Sequence, residues 1–295
     1  MLNDLLLNER TKKQAELYLA RPAHALLIIG ATGSGKYALA RAMASSLLVI
    51  DGLKELDDYP YYMHLTTPVG KQEIPIEAVR TMISGLTLKV PTSKKIGRVI
   101  IIENAQDLSG EAQNALLKQL EEPPDGTVFI LTSPSEQAIL PTVLSRTQSL
   151  SIYPVSKTAA KDYFLDKYDA KDIDGAWYLS GGAFGLLNAL LTGSSDHPLK
   201  VAVEEVKSAL SQTTYQRILS FEQLSRDKNK LALALEAAIR VLAALHRASV
   251  ASDDQIRASK LASSRKLVIR LQQRLGANAN PRLIALELAL NLKLV

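Results

Sequence analysis

The chain of 295 residues contains no cysteine. It can hold no disulfide, no thiolate zinc site and no thiol nucleophile, a composition that suits a reducing cytoplasm. Aromatics are few, at 5% of the residues. The histidines His24, His64, His197 and His246 are scattered and lack ligand spacing, so no bound metal is expected from them. His24, just ahead of an apolar run, reads as structural. No apolar run is long enough to span a bilayer, so no membrane is expected as a partner. Met1-Leu2-Asn3-Asp4 has no basic stretch before a long apolar run, so no secretory leader is expected. Neither sign of charge dominates. The formal net charge of +5 is compatible with an acidic partner such as nucleic acid and too small to require one.

The length predicts two or three domains. One stretch organises them: Ile28-Ile29-Gly30-Ala31-Thr32-Gly33-Ser34-Gly35-Lys36-Tyr37, with apolar residues 25–29 before it and a helix-forming run, 38–48, after it. Strand, glycine-rich loop and helix follow one another, and the spacing from Gly30 to Gly35-Lys36 fits G-x-x-x-x-G-K-[ST] except at its last position. Gly30, Gly33 and Gly35 let the backbone fold tightly. Successive N–H groups, with that of Ser34 among them, then converge on phosphate oxygens. The helix adds its positive N-terminal end, and Lys36 a cation for the outer phosphates. Tyr37 departs from the pattern. A Ser or Thr hydroxyl there would sit close to the backbone and ligate Mg²⁺, whereas a phenol holds its oxygen across a ring. The loop can hold the phosphates of ATP or ADP, with Mg²⁺ bound weakly or not at all.

Residues 5–20 carry Leu5, Leu6, Ala15, Leu17 and Leu19 at amphipathic helical spacing, and Pro22 ends the run. Residues 51–60 are polar, acidic and irregular, and 61–65 form a short strand. Residues 67–71 and the basic 91–97 are turns, and between them Pro75 opens a helix over 76–86. Residues 98–103 are a β-branched run of the kind buried on both faces, a central parallel strand. It ends in Glu103, where a nucleotide-hydrolysing site keeps its metal-side carboxylate. Ser109 N-caps a helix over 110–120, with Gln113 near capping-box distance. A buried strand over 127–132 follows, then a helical turn over 139–144 ending in Ser145-Arg146, then an edge strand over 150–154. This alternation predicts an α/β fold with a doubly wound parallel sheet over residues 1–154. Beyond Pro154 no strand pattern is found. Three short helices, 157–168, 172–179 and 184–191, occupy residues 155–197, with a Gly181-Gly182 turn between the last two. Five more, at about 199–210, 213–225, 229–248, 254–275 and 281–293, fill residues 198–295, judged by apolar spacing. Asn278-Ala279-Asn280-Pro281 breaks the last two apart.

Asn114-Ala115-Leu116-Leu117-Lys118-Gln119-Leu120-Glu121-Glu122-Pro123-Pro124 resembles the signature of bacterial DNA polymerase III clamp-loader subunits. Leu140-Pro141-Thr142-Val143-Leu144-Ser145-Arg146 is similar to the Ser-Arg-Cys segment of the same family, with Thr147 where the cysteine usually stands. Pro22-Ala23-His24-Ala25-Leu26-Leu27 and Leu179-Ser180-Gly181-Gly182-Ala183-Phe184-Gly185 also fit. The matches fall in order from about Pro22 to Leu191; the helical remainder matches only in length and character. The resemblance implies an AAA+ P-loop core (1–154), a three-helix lid (155–197) and an all-α collar for oligomerisation (198–295). Within the family the chain looks most like the delta-prime type, whose ATP chemistry is often degraded. The motor's Asp-Glu is Glu103-Asn104 here, and an amide cannot take a proton from water. Tyr37 replaces the metal-ligating hydroxyl. The lid stretch 182–187 lacks the arginine that touches nucleotide in motor subunits.

The resemblance therefore implies a subunit with little or no ATPase of its own, working in a hetero-pentamer with gamma/tau and delta type subunits. Through that assembly it would meet the sliding clamp and primer–template DNA. It implies that Arg146 reaches a neighbour's ATP site, where a guanidinium can stabilise transition-state charge. From spacing alone, Arg146 reads as a surface arginine at a helix end. Thr132 or Ser133 stands where the family senses the terminal phosphate; a strand-end hydroxyl is otherwise a turn former. The family's four-cysteine zinc module is absent, so no zinc is expected. Asp57, Asp58, Glu121 and Glu122 read as solvated charges. Arg257, Lys260, Arg265, Lys266, Arg270 and Arg274 read as a solvated helix face or a contact for an acidic partner, with Lys94, Lys95 and Arg98 open to the same two readings. Two further readings of the whole are an ATP-hydrolysing gamma/tau-like motor using Lys36 and Glu103, and, more remotely, a small-molecule kinase.

Overall fold

The computed structural model describes residues 2–68, 71, 73–87, 90, 95–194 and 197–292. Its helices and strands are, in chain order, α1 (Glu9–Ala20), β1 (Ala25–Ile29), α2 (Lys36–Leu48), α3 (Leu53–Asp57), β2 (Tyr62–Leu65), α4 (Ile76–Gly85), β3 (Arg98–Ile102), α5 (Gly110–Glu121), β4 (Thr127–Ser133), α6 (Pro141–Leu144) and β5 (Gln148–Ser151). There follow α7 (Lys157–Phe164), α8 (Ala170–Ser180), α9 (Phe184–Thr192), α10 (Pro198–Ser211), α11 (Thr214–Leu224), α12 (Lys228–Ala251), α13 (Gln255–Gly276) and α14 (Pro281–Asn291). Two compact units result, Met1–Ala159 and Ala160–Val295.

The first unit is a five-stranded sheet in the order β2-β3-β4-β1-β5, every neighbouring pair parallel. Alternate residues of its strands enter two cores. Leu27, Ile100, Ile102, Phe129 and Leu131 pack against α4 and α5, while Leu26, Ile28, Val99, Ile101 and Ile130 pack against α1 and α2. All five residues of β3 are buried, so the apolar run is continuous because both faces are covered. At about 1.5–3 kcal/mol for each fully buried Val, Ile or Leu, these central strands outweigh any surface interaction in the unit.

Several local expectations are corrected. Residues 51–60 are not wholly irregular. They contain α3, whose Leu56 is fully buried; five residues are too few to show helical periodicity. The edge strand lies at Gln148–Ser151, earlier than expected, and Ile152 N–H prolongs its ladder by donating to Ile29 O at 2.7 Å. Helix α1 starts only at Glu9, because Asn8 Oδ1 caps it by accepting from Arg10 N–H. Ser109 does cap α5, accepting from Ala112 N–H, but Gln113 donates to Leu108 O and closes no capping box. Arg98 is fully buried and donates to Leu86 O at 2.8 Å, so it offers no surface charge. Lys95 is exposed, while Lys94 and parts of the 67–71 and 91–97 turns lie outside the described residues.

In the second unit every described element is helical. Gly181 and Gly182 both adopt positive φ, and Gly181 closes α8. Leu186 of α9 joins the core that Val203, Val206, Phe221, Leu235, Leu242, Val268, Leu271 and Leu288 build. Arg240 of α12 donates to Ser180 O, and Arg247 donates to Tyr178 O at 2.7 Å. Asn280 caps α14 as its position after the break demands. On α13, Arg265, Lys266 and Arg270 are exposed, while Arg274 pairs with Glu287 at 2.5 Å. No helix among the described residues is long and apolar enough to cross a membrane.

Candidate functional site

Ligands of open parallel sheets bind at the carboxyl ends of the strands, where successive connections leave in different directions. Here β1 lies between β4 and β5, and the loop after it is stitched to both neighbours. Gly30 N–H donates to Ser133 O at 3.1 Å, and Ile29 O accepts from Ile152 N–H. Gly33 and Gly35 take left-handed backbones, φ 79° and 88°, that favour glycine. Gly30 is needed for space: a Cβ there would lie 2.7 Å from Ser34 Oγ and 3.0 Å from Ile152 Cβ. Ser34 is buried, and its hydroxyl has no partner among the described residues. The first turn of α2 leaves its N–H groups without intrahelical partners. The loop thus offers an anion the backbone donors and dipole expected of it.

Lys36 folds back over this loop, Nζ donating to Gly30 O at 2.8 Å and Ala31 O at 3.3 Å. Burial pushes its ammonium down to about 8, and the Glu103 carboxylate pulls in the opposite direction. An anion at the loop would compete with those two neutral carbonyls for the charge.

The metal side of the loop is built differently. The Tyr37 ring stacks on His64, centroids 4.5 Å apart and planes 23° from parallel. Its hydroxyl stands 3.2 Å from His64 Nδ1, and His64 Nε2 stands 3.1 Å from Glu103 Oε2. The Arg41 guanidinium lies 5.7 Å from the Tyr37 centroid, a cation–π contact of about 0.5–1 kcal/mol at a partly exposed site. Arg41 is held by Leu53 O and by Asp57 at 2.5 Å, so Asp57 is a pairing partner and not merely a solvated charge. Burial raises the Tyr37 phenol above its ordinary range, as it does that of neighbouring Tyr62. A Mg²⁺ ion wants oxygen ligands in a tight octahedron. A stacked phenol and a histidine-bound carboxylate do not fit it.

Two more predicted residues meet at the strand ends. Thr132 is fully buried, and its hydroxyl accepts from Asn104 N–H at 2.9 Å. Asn104 sits at φ 55°, a left-handed conformation that asparagine tolerates better than most residues. Ser133 Oγ donates to Ser135 O.

Arg146 is separate from this cluster. It follows α6 with its side chain one-third exposed, donating to Thr142 O at 2.8 Å and pairing with Glu121 Oε1 at 2.5 Å. Glu121, expected to be solvated, therefore anchors the arginine. His24, Leu120, Thr147 and Gln148 complete an open pocket of 620 Å³ around the pair. His24 itself is exposed, and only its carbonyl serves the sheet, accepting from Phe129 N–H.

Sequence reasoning named Gly30, Gly33, Ser34, Gly35, Lys36, Tyr37, Glu103 and Thr132 as nucleotide-binding, and the fold sets them at the carboxyl ends of β1, β3 and β4. It missed His64 and Arg41. The only local signal for His64 was its place near the end of the short strand expected over 61–65.

The family model described as DNA polymerase III, delta subunit, matches residues 9–156. A DNA polymerase III subunit delta' of Pseudomonas aeruginosa is 34% identical over 141 residues, 43% of this chain and 42% of that protein. The Bacillus subtilis subunit delta' is 30% identical over 161 residues, 50% of this chain and 47% of that protein. The chain thus spans under half the length of these curated relatives. The crystal structure of a DNA polymerase III gamma subunit-related protein from Thermotoga maritima aligns over 95% of this chain and 97% of its own. Its TM-score is 0.50 at 17% identity, a likeness of fold alone.

Proposed function

For a chain that belongs to the DNA polymerase III delta-subunit family, we propose the work of a delta-prime-like subunit in a sliding-clamp loader. In this reading the P-loop core serves chiefly as scaffold in a hetero-pentamer with gamma/tau and delta type subunits, supporting the loading of a clamp onto primer–template DNA. The second unit supplies the lid and the oligomerising collar. The chain's own site holds ADP or ATP and turns it over little or not at all, and no zinc takes part. One observation carries this reading: at the position where a P-loop hydrolase keeps a metal-binding hydroxyl, Tyr37 presents a ring stacked on His64. Asn104, beside Glu103, adds a side chain unable to accept a proton from water.

Arg146 is the chemistry this subunit lends. Its guanidinium is held in place by Thr142 O and Glu121 yet remains one-third exposed. A neighbour's phosphate oxygens would replace Glu121 as the acceptor, and a planar guanidinium can then stabilise charge developing in phosphoryl transfer. The test is Arg146→Ala in a loader reconstituted with its partner subunits. The assembly should still form, and hydrolysis at the site served should fall roughly 10³-fold. Unchanged DNA-stimulated ATPase in an intact assembly would reject the lent arginine.

A second reading, a gamma/tau-like motor, draws on the carboxylate of Glu103 and its electrostatic pull on Lys36. Steady ATP turnover by the isolated chain, abolished in Lys36→Ala, would select it.

A further inference from the structure

We infer that the loop at 30–37 takes a nucleoside diphosphate without a divalent cation, because Tyr37 and His64 occupy both the place and the carboxylate that a cation would use. This rests on the nucleotide-binding reading above and adds to it the ligand class and the residue responsible, His64.

The arrangement is built from four elements. Tyr37 and Arg41 come from α2, Asp57 from α3, His64 from β2 and Glu103 from the residue after β3. Parallel pairing of β2 with β3, with Leu65 opposite Ile102, brings His64 alongside the strand end, and Glu103 N–H donates to Leu65 O at 2.8 Å. The two ring nitrogens of His64 face one neighbour each, Nε2 at 3.1 Å from Glu103 Oε2 and Nδ1 at 3.2 Å from the Tyr37 hydroxyl. The Nε2–H tautomer would donate to the carboxylate while accepting from the phenol. The His64 and Glu103 side chains are 26% and 28% exposed, so solvent reaches the pair and a cation could approach it.

A magnesium ion entering here would have to take Glu103 from His64 and part the stacked rings. It would still find no short hydroxyl at position 37 to complete its octahedron. Arg41 is no substitute cation, since Asp57 and Leu53 O already hold it. Of the residues described at this site, Lys36 and the first turn of α2 are the positive groups left to a phosphate. Two phosphates suit that supply. A third adds negative charge to a site that already contains the Glu103 carboxylate, with no cation to separate them.

Calorimetric titration of the whole chain with ADP and with ATP, each in EDTA and in Mg²⁺, tests this. The variants are His64→Ala and the double substitution His64→Ala with Tyr37→Thr. For the unaltered chain, Mg²⁺ should change ADP affinity by less than about twofold, and ATP in EDTA should bind at least about fivefold more weakly than ADP. Freed of the ring and the imidazole, the double variant should gain about tenfold or more in ADP affinity from Mg²⁺. His64→Ala alone should show an intermediate gain. The inference is overturned by equal ADP and ATP affinity in EDTA, or by a double variant indifferent to Mg²⁺. It is overturned, while the nucleotide reading survives, if ADP binds the unaltered chain only with Mg²⁺. Absence of any binding to a chain shown folded by circular dichroism overturns both.

Discussion

Replacing Gly30 by alanine probes the loop through space alone. The new methyl would meet Ser34 Oγ at 2.7 Å and Ile152 Cβ at 3.0 Å. The hydroxyl can rotate away. Ile152 Cβ cannot move without its backbone, which is tied to Ile29 O at 2.7 Å. The loop or the end of the β5 ladder must shift, and such overpacking costs about 1–3 kcal/mol. Gly30 does not adopt a left-handed backbone, so the smaller conformational entropy of unfolded alanine returns about 0.4–1 kcal/mol. A net loss centred on about 1.3 kcal/mol and reaching about 2.6 kcal/mol remains, or a fall of about 3–5 °C at the centre for a unit this size. Gly175→Ala is the matched control. It lies inside α8 with nothing within 4 Å of the added carbon, so it should gain about 0.5–1 kcal/mol in helix propensity. Differential scanning calorimetry reads both, and ADP titration should show weakened binding for Gly30→Ala only. The reasoning fails if Gly30→Ala melts and binds like the unaltered chain, or if Gly175→Ala loses stability.

Other outcomes follow from single side chains. The folded Lys36 ammonium titrates near about 8, below an unfolded value of about 10.4. Between those values the unfolded chain binds more protons, so stability should rise with pH across that window, and Lys36→Met should remove the rise. Anion binding runs the other way: above about pH 8, ADP affinity should fall toward tenfold per pH unit, and an affinity flat from pH 7 to about 9.5 would refute the role of the ammonium. Arg98→Met keeps much of the buried volume but leaves Leu86 O without the donor it has now. It should cost about 1–3 kcal/mol in denaturant titration and leave the salt dependence of any DNA binding unaltered, since the side chain is buried. A reduced salt slope in that variant would return Arg98 to the surface.

The sequence by itself determined the periodic parts. The apolar run of β3, the glycine spacing before α2 and the proline that opens α4 each act over a few adjacent positions. So do the Gly-Gly turn after α8 and the break at 278–281 before α14. Their signals survive without knowledge of the fold, because turns, helix starts and runs of one residue character are set by adjacent positions. The Asn-to-Pro-Pro and Ser-Arg segments marked the family for the same reason, as unbroken strings. Only the tertiary structure decided what meets across the sheet. Helix α3 was illegible because it is held by Leu56 beneath α2 and by Asp57 on Arg41, 16 positions away. Arg98, at the head of the predicted strand, read as a solvated charge or a contact for an acidic partner until the fold closed over it. Tyr37 and His64 are 27 positions apart, and His64 and Glu103 are 39 apart. Strand order and register bring them together. Neither residue type nor spacing along the chain encodes that meeting, because a parallel neighbour is set by how the connections between strands run and by which hydrophobic faces they must cover.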